Sequence, residues 1–204
     1  METYFIADTH FLHKNIITFD DRPWDSVEEM TEGLIERWNE QVKGHDHVYV
    51  LGDFCWSAQV EQWAEILKRL KGHKHLVTGN HDPRLKTNSN FYRRLEAETG
   101  KRGFESVREQ DLLKGVSGLD LVLSHYYLAN YEHSYDPYRY MLYGHSHDTH
   151  EQEMLDEITK LIQRRFLESG NMYGNRGQLI SVSACRPYMG YTPQSIDYLI
   201  EKGF

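Results

Sequence analysis

The stretch Leu76-Val77-Thr78-Gly79-Asn80-His81-Asp82 ends an apolar, β-branched run at a glycine, then follows it with three side chains able to bind a metal, move a proton or orient a neighbour. Four other short apolar runs stop in a similar way, at Asp8-Thr9-His10, Gly52-Asp53, Ser124-His125 and Gly144-His145-Ser146-His147. Glycine lets the backbone turn sharply at a strand end, and packing alone has no use for polar side chains in this order. Asp8 and His10 are two residues apart, which in an extended chain places both on one face, as two ligands of one ion require. Asp8, His10, Asp53, Asn80, His125, His145 and His147 together combine carboxylate and amide oxygens with imidazole nitrogens. That mixture suits manganese first, with iron, zinc, cobalt or nickel as alternatives, and not calcium. Seven ligands exceed the needs of one ion and fit two ions about 3.5 to 4 Å apart with one carboxylate shared. Such a pair binds phosphoryl oxygens and makes hydroxide from water near neutral pH.

Five strand ends must meet at one sheet edge for this cluster to form. The sequence predicts strands over residues 3–7, 48–51, 75–78, 103–109, 119–123, 140–143 and 178–183, with a turn at 114–118. A helix capped by Asp25 or Ser26 runs to about Val42, with Val27, Met30, Leu34, Ile35 and Trp38 as its core stripe. A second helix runs from a Ser57 cap to Leu70, and a third begins at Pro83 and reaches about Glu98, anchored by Leu85, Phe91, Tyr92 and Leu95. Residues 151–169 form an amphipathic helix stopped at Gly170, with Met154, Leu155, Ile158, Leu161, Ile162 and Phe166 on one side. Residues 192–200 close the chain as a strand or a helix. His45, His47, His73 and His75 fall where strands begin, opposite the ligand ends, and read as surface or structural groups.

Other residues have open roles. His13 and Asn15 either border the site or are solvated loop groups. Arg22 is a phosphate clamp or a loop anchor. The segment from Tyr126 to Tyr143 carries seven of the fourteen tyrosines, with Arg139 among them, and either stacks a flat group or packs a loop. Cys55 follows Asp53 closely but reads as a packed thiol in a site of harder donors.

At 204 residues the chain is expected to form one domain. Its 31 acidic against 23 basic residues give a net charge of -8, which disfavours an extended nucleic acid partner. Two cysteines make no disulfide framework, and with no leader-like segment a cytoplasmic location is expected. No apolar run approaches the roughly 20 residues that cross a bilayer, so no membrane partner is expected.

Asp-x-His, Gly-Asp, Gly-Asn-His-Asp, a lone His and Gly-His-x-His, in this order, resemble the calcineurin-like metallophosphoesterase superfamily, within it the small single-domain bacterial and phage enzymes. The resemblance covers residues 3 to about 147 and the final strands. It implies an α/β fold, a four-layer α-β-β-α sandwich with two mixed sheets, and a site at the carboxyl ends of the strands. It implies one metal on Asp8, His10, Asp53 and His147, and a second on Asn80, His125 and His145, with Asp53 bridging. His81 would protonate the leaving oxygen, Asp82 would orient its imidazole, and a hydroxide between the metals would attack phosphorus in line. The expected substrate is a small phosphoester, a phosphodiester before a monoester or a short nucleic acid end, and the expected state is monomer or homodimer. A silent scaffold of this family would lack ligands or the acid, and none is missing. Two departures stand out: Leu12 occupies a position often held by Gly, and the helix over 151–170 reads as an insertion.

Overall fold

The computed structural model describes residues 1–82 and 89–203; the expectations for Pro83 and Leu85 lie outside them. β1 (Thr3–Ile6), β2 (His47–Leu51), β3 (His73–Val77) and β4 (Phe104–Arg108) run parallel in one sheet. β5 (Gln110–Val116), β6 (Leu119–Ser124), β7 (Arg139–Tyr143) and β8 (Leu179–Ser181) form a second, with β5 antiparallel to β6 and the rest parallel. β9 (Gln194–Ser195) returns to the first sheet antiparallel to β1, giving the order β4-β3-β2-β1-β9 beside β5-β6-β7-β8. Phe5, Val50 and Leu76 of the first sheet share one buried core with Leu121, Leu123, Leu142 and Ile180 of the second. The architecture is thus two mixed sheets flanked by helices.

α1 (Ile16–Phe19) is a single turn after the first ligand motif. α2 (Val27–Gln41) starts where the Ser26 hydroxyl accepts the Glu29 N–H at 3.1 Å, and Glu28 and Glu29 sit at its positive end. Met30, Leu34, Ile35 and Trp38 are buried at helical spacing, as the sequence predicts. α3 (Val60–Arg69) starts two residues later than a Ser57 cap would place it, because the Ser57 hydroxyl accepts the Gln59 N–H at 3.0 Å and pairs with Gln62, closing a turn ahead of the helix. α4 (Asn90–Thr99) is capped by Ser89. β5 is a strand the sequence reading passed over: its residues are at best half-buried and Gly115 breaks its register with β6.

α5 (His150–Ser169) ends at Gly170 in the left-handed region, φ 61°. It docks beside the second sheet partly through polar groups. The Gln152 amide donates to the Tyr143 hydroxyl at 2.8 Å and its oxygen accepts from Ser146, while Tyr127 and Thr159 hydroxyls meet at 3.1 Å. Leu155 packs against the cluster of Tyr131, Met141, Tyr143 and Leu179, but Met154 and Leu161 stay exposed, so the apolar stripe is only partly covered. The closing segment resolves into both alternatives, β9 followed by α6 (Ile196–Lys202).

Candidate metal centre

The chain leaves its strands in left-handed turns at the ligand positions. φ is 55° at Asp8, 47° at His10, 53° at Asp53, 74° at His145 and 55° at His147. Such angles cost a non-glycine residue on the order of 1–3 kcal/mol and persist where surrounding structure enforces them. Here the Asp8 N–H donates to Gly52 O and the His10 N–H to Asp53 O, both at 3.0 Å, locking the end of β1 to the end of β2. Leu12 shares the geometry, φ 64°, which explains why glycine suits that position. The turns pack tightly: a Cβ on Gly79 would lie 2.2 Å from Asp53 Oδ1, and one on Gly52 would lie 2.3 Å from His125 Nδ1.

These turns bring all seven expected ligands together, four from the first sheet and three from the second. His10 Nε2 lies 3.3 Å from His147 Nε2. Asn80 Oδ1 lies 2.9 Å from His125 Nε2 and 3.0 Å from His145 Nδ1. Asp53 Oδ2 stands between the two groups, 3.7 Å from His10 Nε2 and 3.6 Å from His125 Nε2. Its other oxygen is occupied, accepting the His81 N–H at 2.8 Å. Asp8 Oδ2 accepts from the Ser183 hydroxyl at 2.5 Å and from the His145 N–H at 3.0 Å, whereas Asp8 Oδ1 is buried with no hydrogen-bond partner. A buried carboxylate oxygen left bare is costly unless a cation meets it. Asp8, His10 and His147 form one group whose donor atoms lie within 4.8 Å of one another, and Asp8, Asp53 and His125 form another.

The imidazoles are aimed by their second nitrogens. His125 Nδ1–H donates to Leu51 O at 2.8 Å, leaving Nε2 for an ion. His147 Nδ1 lies 2.9 Å from both oxygens of Asp20. Asp20 is gripped in turn by Arg22, whose Nε and Nη2 donate to it at 3.0 and 2.8 Å. Burial holds His10 well below the usual imidazole range and lowers His145, so both rings are neutral and present lone pairs. Burial also lowers His147, but Asp8 and Asp20 outweigh it and raise the group to about 11, so an ion binding there must displace a proton. Burial, with Asp8 alongside, raises Asp53 against the opposing pull of His125. A buried carboxylate held back from ionising, as Asp53 is, is what a bound cation relieves. The residues present therefore fit a pair of divalent ions.

His81 stands at the mouth, its side chain 40% exposed and its Nε2 3.9 Å from Asp53 Oδ2. The structure does not bring Asp82 to its imidazole. Asp82 is buried and accepts three backbone N–H groups instead, from Asp53 at 2.7 Å, Gly79 at 2.9 Å and Phe54 at 3.2 Å. It clamps the second ligand turn to the third, and the indole of Trp56 supports the His81 ring at 4.6 Å between centroids. Arg22 is likewise no clamp for substrate. It is buried, and its remaining N–H groups donate to Thr9 O at 2.8 Å and Asp8 O at 2.9 Å. Arg139 opens β7, the end away from the ligands, and pairs with Asp120 at 2.9 Å. Asn15 is exposed at the start of α1, where its side chain makes no cap bond. His13 borders the centre, its Nδ1 3.4 Å from His10 Nδ1 and its ring flat against Trp56 at 4.1 Å. Cys55 is a buried thiol raised by burial.

Asp20, Ser183 and Trp56 are the supporting residues that sequence reasoning missed. Asp20 stands in an ordinary charged loop, Asp20-Asp21-Arg22, and Ser183 follows an unremarkable strand. The aromatic Trp56 beside the Gly-Asp motif was the one usable signal.

Among known proteins, the chain is 32% identical over 204 residues to an uncharacterized protein of Methanocaldococcus jannaschii, covering 98% of this chain and 92% of that one. It is 35% identical over 82 residues to the Gene 66 protein of Mycobacterium phage D29, 39% of each chain. A protein of unknown function from Aquifex aeolicus, solved as a crystal structure, shares the fold with a TM-score of 0.56 at 22% identity, covering 98% of this chain and 97% of that one. The model of the calcineurin-like phosphoesterase superfamily domain matches residues 1–185. With that match spanning β1 to β8 and every ligand turn, the chain belongs to the calcineurin-like phosphoesterase superfamily.

Proposed function

We propose that this protein is a phosphoesterase working with two divalent ions, manganese foremost, on a small phosphodiester such as a nucleotide. The observation that carries this reading is Asp53 Oδ2, poised between His10 and His125 while its partner oxygen is tied to the backbone. When bound, the ion pair supplies positive charge for phosphoryl oxygens and an acidified water as nucleophile. The chain's own residues supply the rest. Asp8, His10 and His147 hold one ion and Asn80, His125 and His145 the other, with Asp53 shared. His81 reaches the same carboxylate oxygen from the solvent side, so it can give its proton to a leaving oxygen of substrate bound there. Asp82 keeps Asp53 and the Gly79 turn in place.

Two exposed rings support a substrate carrying a flat group. Trp56 is 46% exposed beside His81, and Tyr126 is 47% exposed at 4.7 Å from His145. Neither Arg22 nor Arg139 faces the centre, which favours a diester monoanion over a more highly charged monoester. A short nucleic acid end fits the same two rings, and a steep loss of activity with salt would favour it. Both cysteines are free and buried, in keeping with a proposed cytoplasmic location, and no helix among the described residues is long and apolar enough to cross a membrane.

The test is metal analysis of the purified protein together with turnover of generic phosphomonoesters and phosphodiesters in added manganese. Near two ions per chain and diester turnover are expected. His81→Ala should lower turnover by about 10²- to 10⁴-fold with metal content unchanged. Metal-loaded protein without turnover on any ester, or full turnover in His81→Ala, refutes the assignment or the role of the acid respectively.

A further inference from the structure

A second group of imidazoles stands at the opposite end of the first sheet. His47 opens β2 and lies in register with His73, which opens β3; Tyr49 and His75 are the next pair on the same face. Val48 and Lys74 between them point the other way and are buried. A register shift between Lys74 and His75 adjusts the pairing of β3 with β4, and Glu105 of β4 meets this same cluster. His47 Nδ1 lies 2.9 Å from His75 Nε2, Glu105 Oε2 lies 4.0 Å from His75 Nε2, and Glu105 Oε1 lies 2.5 Å from His73 Nδ1.

The arrangement has the features of a ligand set. One donor atom from each of His47, His75 and Glu105 lies within 4.8 Å of the others. His75 is fixed from behind: its Nδ1 pairs with the Ser106 hydroxyl at 2.9 Å, and Tyr49 stacks flat on its ring at 4.4 Å. With Nδ1 engaged by serine, Nε2 is the ring nitrogen that faces His47 and Glu105. Nitrogens bound to one tetrahedral zinc at about 2.0–2.1 Å stand roughly 3.3 Å apart, so the His47–His75 pair needs to open by only a few tenths of an ångström. The His73 and Glu105 side chains are each 42% exposed, giving an ion a path from solvent.

We propose that His47, His75 and Glu105, with His73 beside them, form a metal site for a late first-row divalent ion such as zinc, separate from the centre at the ligand turns. Two imidazoles and a carboxylate suit that class of ion. The site ties the starts of β2, β3 and β4 and leaves the catalytic edge untouched.

The experiment loads the full chain with zinc, removes loosely held ions and counts zinc per chain in the wild type, His75→Gln and Glu105→Gln. The wild type is expected to retain one more zinc than either variant. Circular dichroism and manganese-supported phosphoesterase turnover should be the same in all three. Zinc should also raise the unfolding midpoint of the wild type more than that of Glu105→Gln. Equal zinc counts in the wild type and in a folded Glu105→Gln overturn the proposal, and Glu105 is exposed enough for that variant to fold if His75→Gln does not. Because the readout is a difference in count, it stands whether or not the main centre holds two ions.

Discussion

Replacing Asp20 by Asn tests the claim that the centre depends on a residue that touches no substrate. Asp20 uses both oxygens: Oδ2 accepts from Arg22 Nε and Nη2, and either oxygen is 2.9 Å from His147 Nδ1. Asn has one oxygen and an amide NH2, itself a donor, that must face one of these donors. Asp20→Asn therefore loses either the grip on the imidazole or the pairing of a buried guanidinium. Loss of a partner of this kind weakens metal affinity about 10- to 100-fold, or roughly 1.4 to 2.7 kcal/mol at 1.36 kcal/mol per decade. The assay is competition with a chelator of known affinity, run beside turnover against manganese concentration. The expected result is a metal dissociation constant raised by one to two decades, with turnover recovered at saturating manganese. Arg22→Lys, which keeps the charge and loses the planar fork, should move the same constant in the same direction while leaving KM alone. Unchanged metal affinity in Asp20→Asn, or a raised KM with unchanged affinity in Arg22→Lys, refutes the reasoning.

Three further outcomes are expected. In Gly79→Ala the new Cβ would meet Asp53 Oδ1 at 2.2 Å, so the Asp53 carboxylate must move and the protein should bind less metal while keeping its far-ultraviolet spectrum. Trp56→Ala should raise KM by about tenfold or more for esters with a flat aromatic group, as base–aromatic stacking is worth about 1–3 kcal/mol, and should leave KM for small aliphatic esters unchanged. Lys74 is buried with Nζ donating to Leu70 O and Gly72 O, and burial lowers it from 10.5 to about 8. Between those values the unfolded chain binds the extra proton, so stability should rise with pH from about 8 to 10.5 by on the order of 3 kcal/mol, and denaturant titrations of Lys74→Met should lack that slope.

The ligands were legible because each one follows directly on an apolar run, so a strand end and a reactive side chain are adjacent in sequence. What holds them was not, because it comes from elsewhere. Ser183 bonds Asp8 across 175 positions and Asp20 bonds His147 across 127. Adjacency also misled: Asp82 next to His81 invites a pairing, yet its carboxylate turns inward to the N–H groups of Asp53, Phe54 and Gly79. Arg22 looked like a lone cation in a loop, and only the crossing of Asp8, Thr9 and Asp20 around it shows why it is buried. The α2 stripe was readable from spacing, whereas β5 was not, since a half-exposed strand broken by glycine carries neither a clear alternation nor an apolar run.

The Ser183–Asp8 contact has a consequence for how the protein is made. Ala7 and Ser183 pair as an isolated bridge where the two sheets touch, so the first ligand turn is completed by a residue near the end of the chain. During synthesis, β1, β2 and β3 can assemble early, but Asp8 lacks its hydroxyl partner until β8 has emerged. Metal capture at full strength thereby requires the chain through Ser183, and a chain halted before Ser183 should leave the ribosome with a sheet but without a working metal centre.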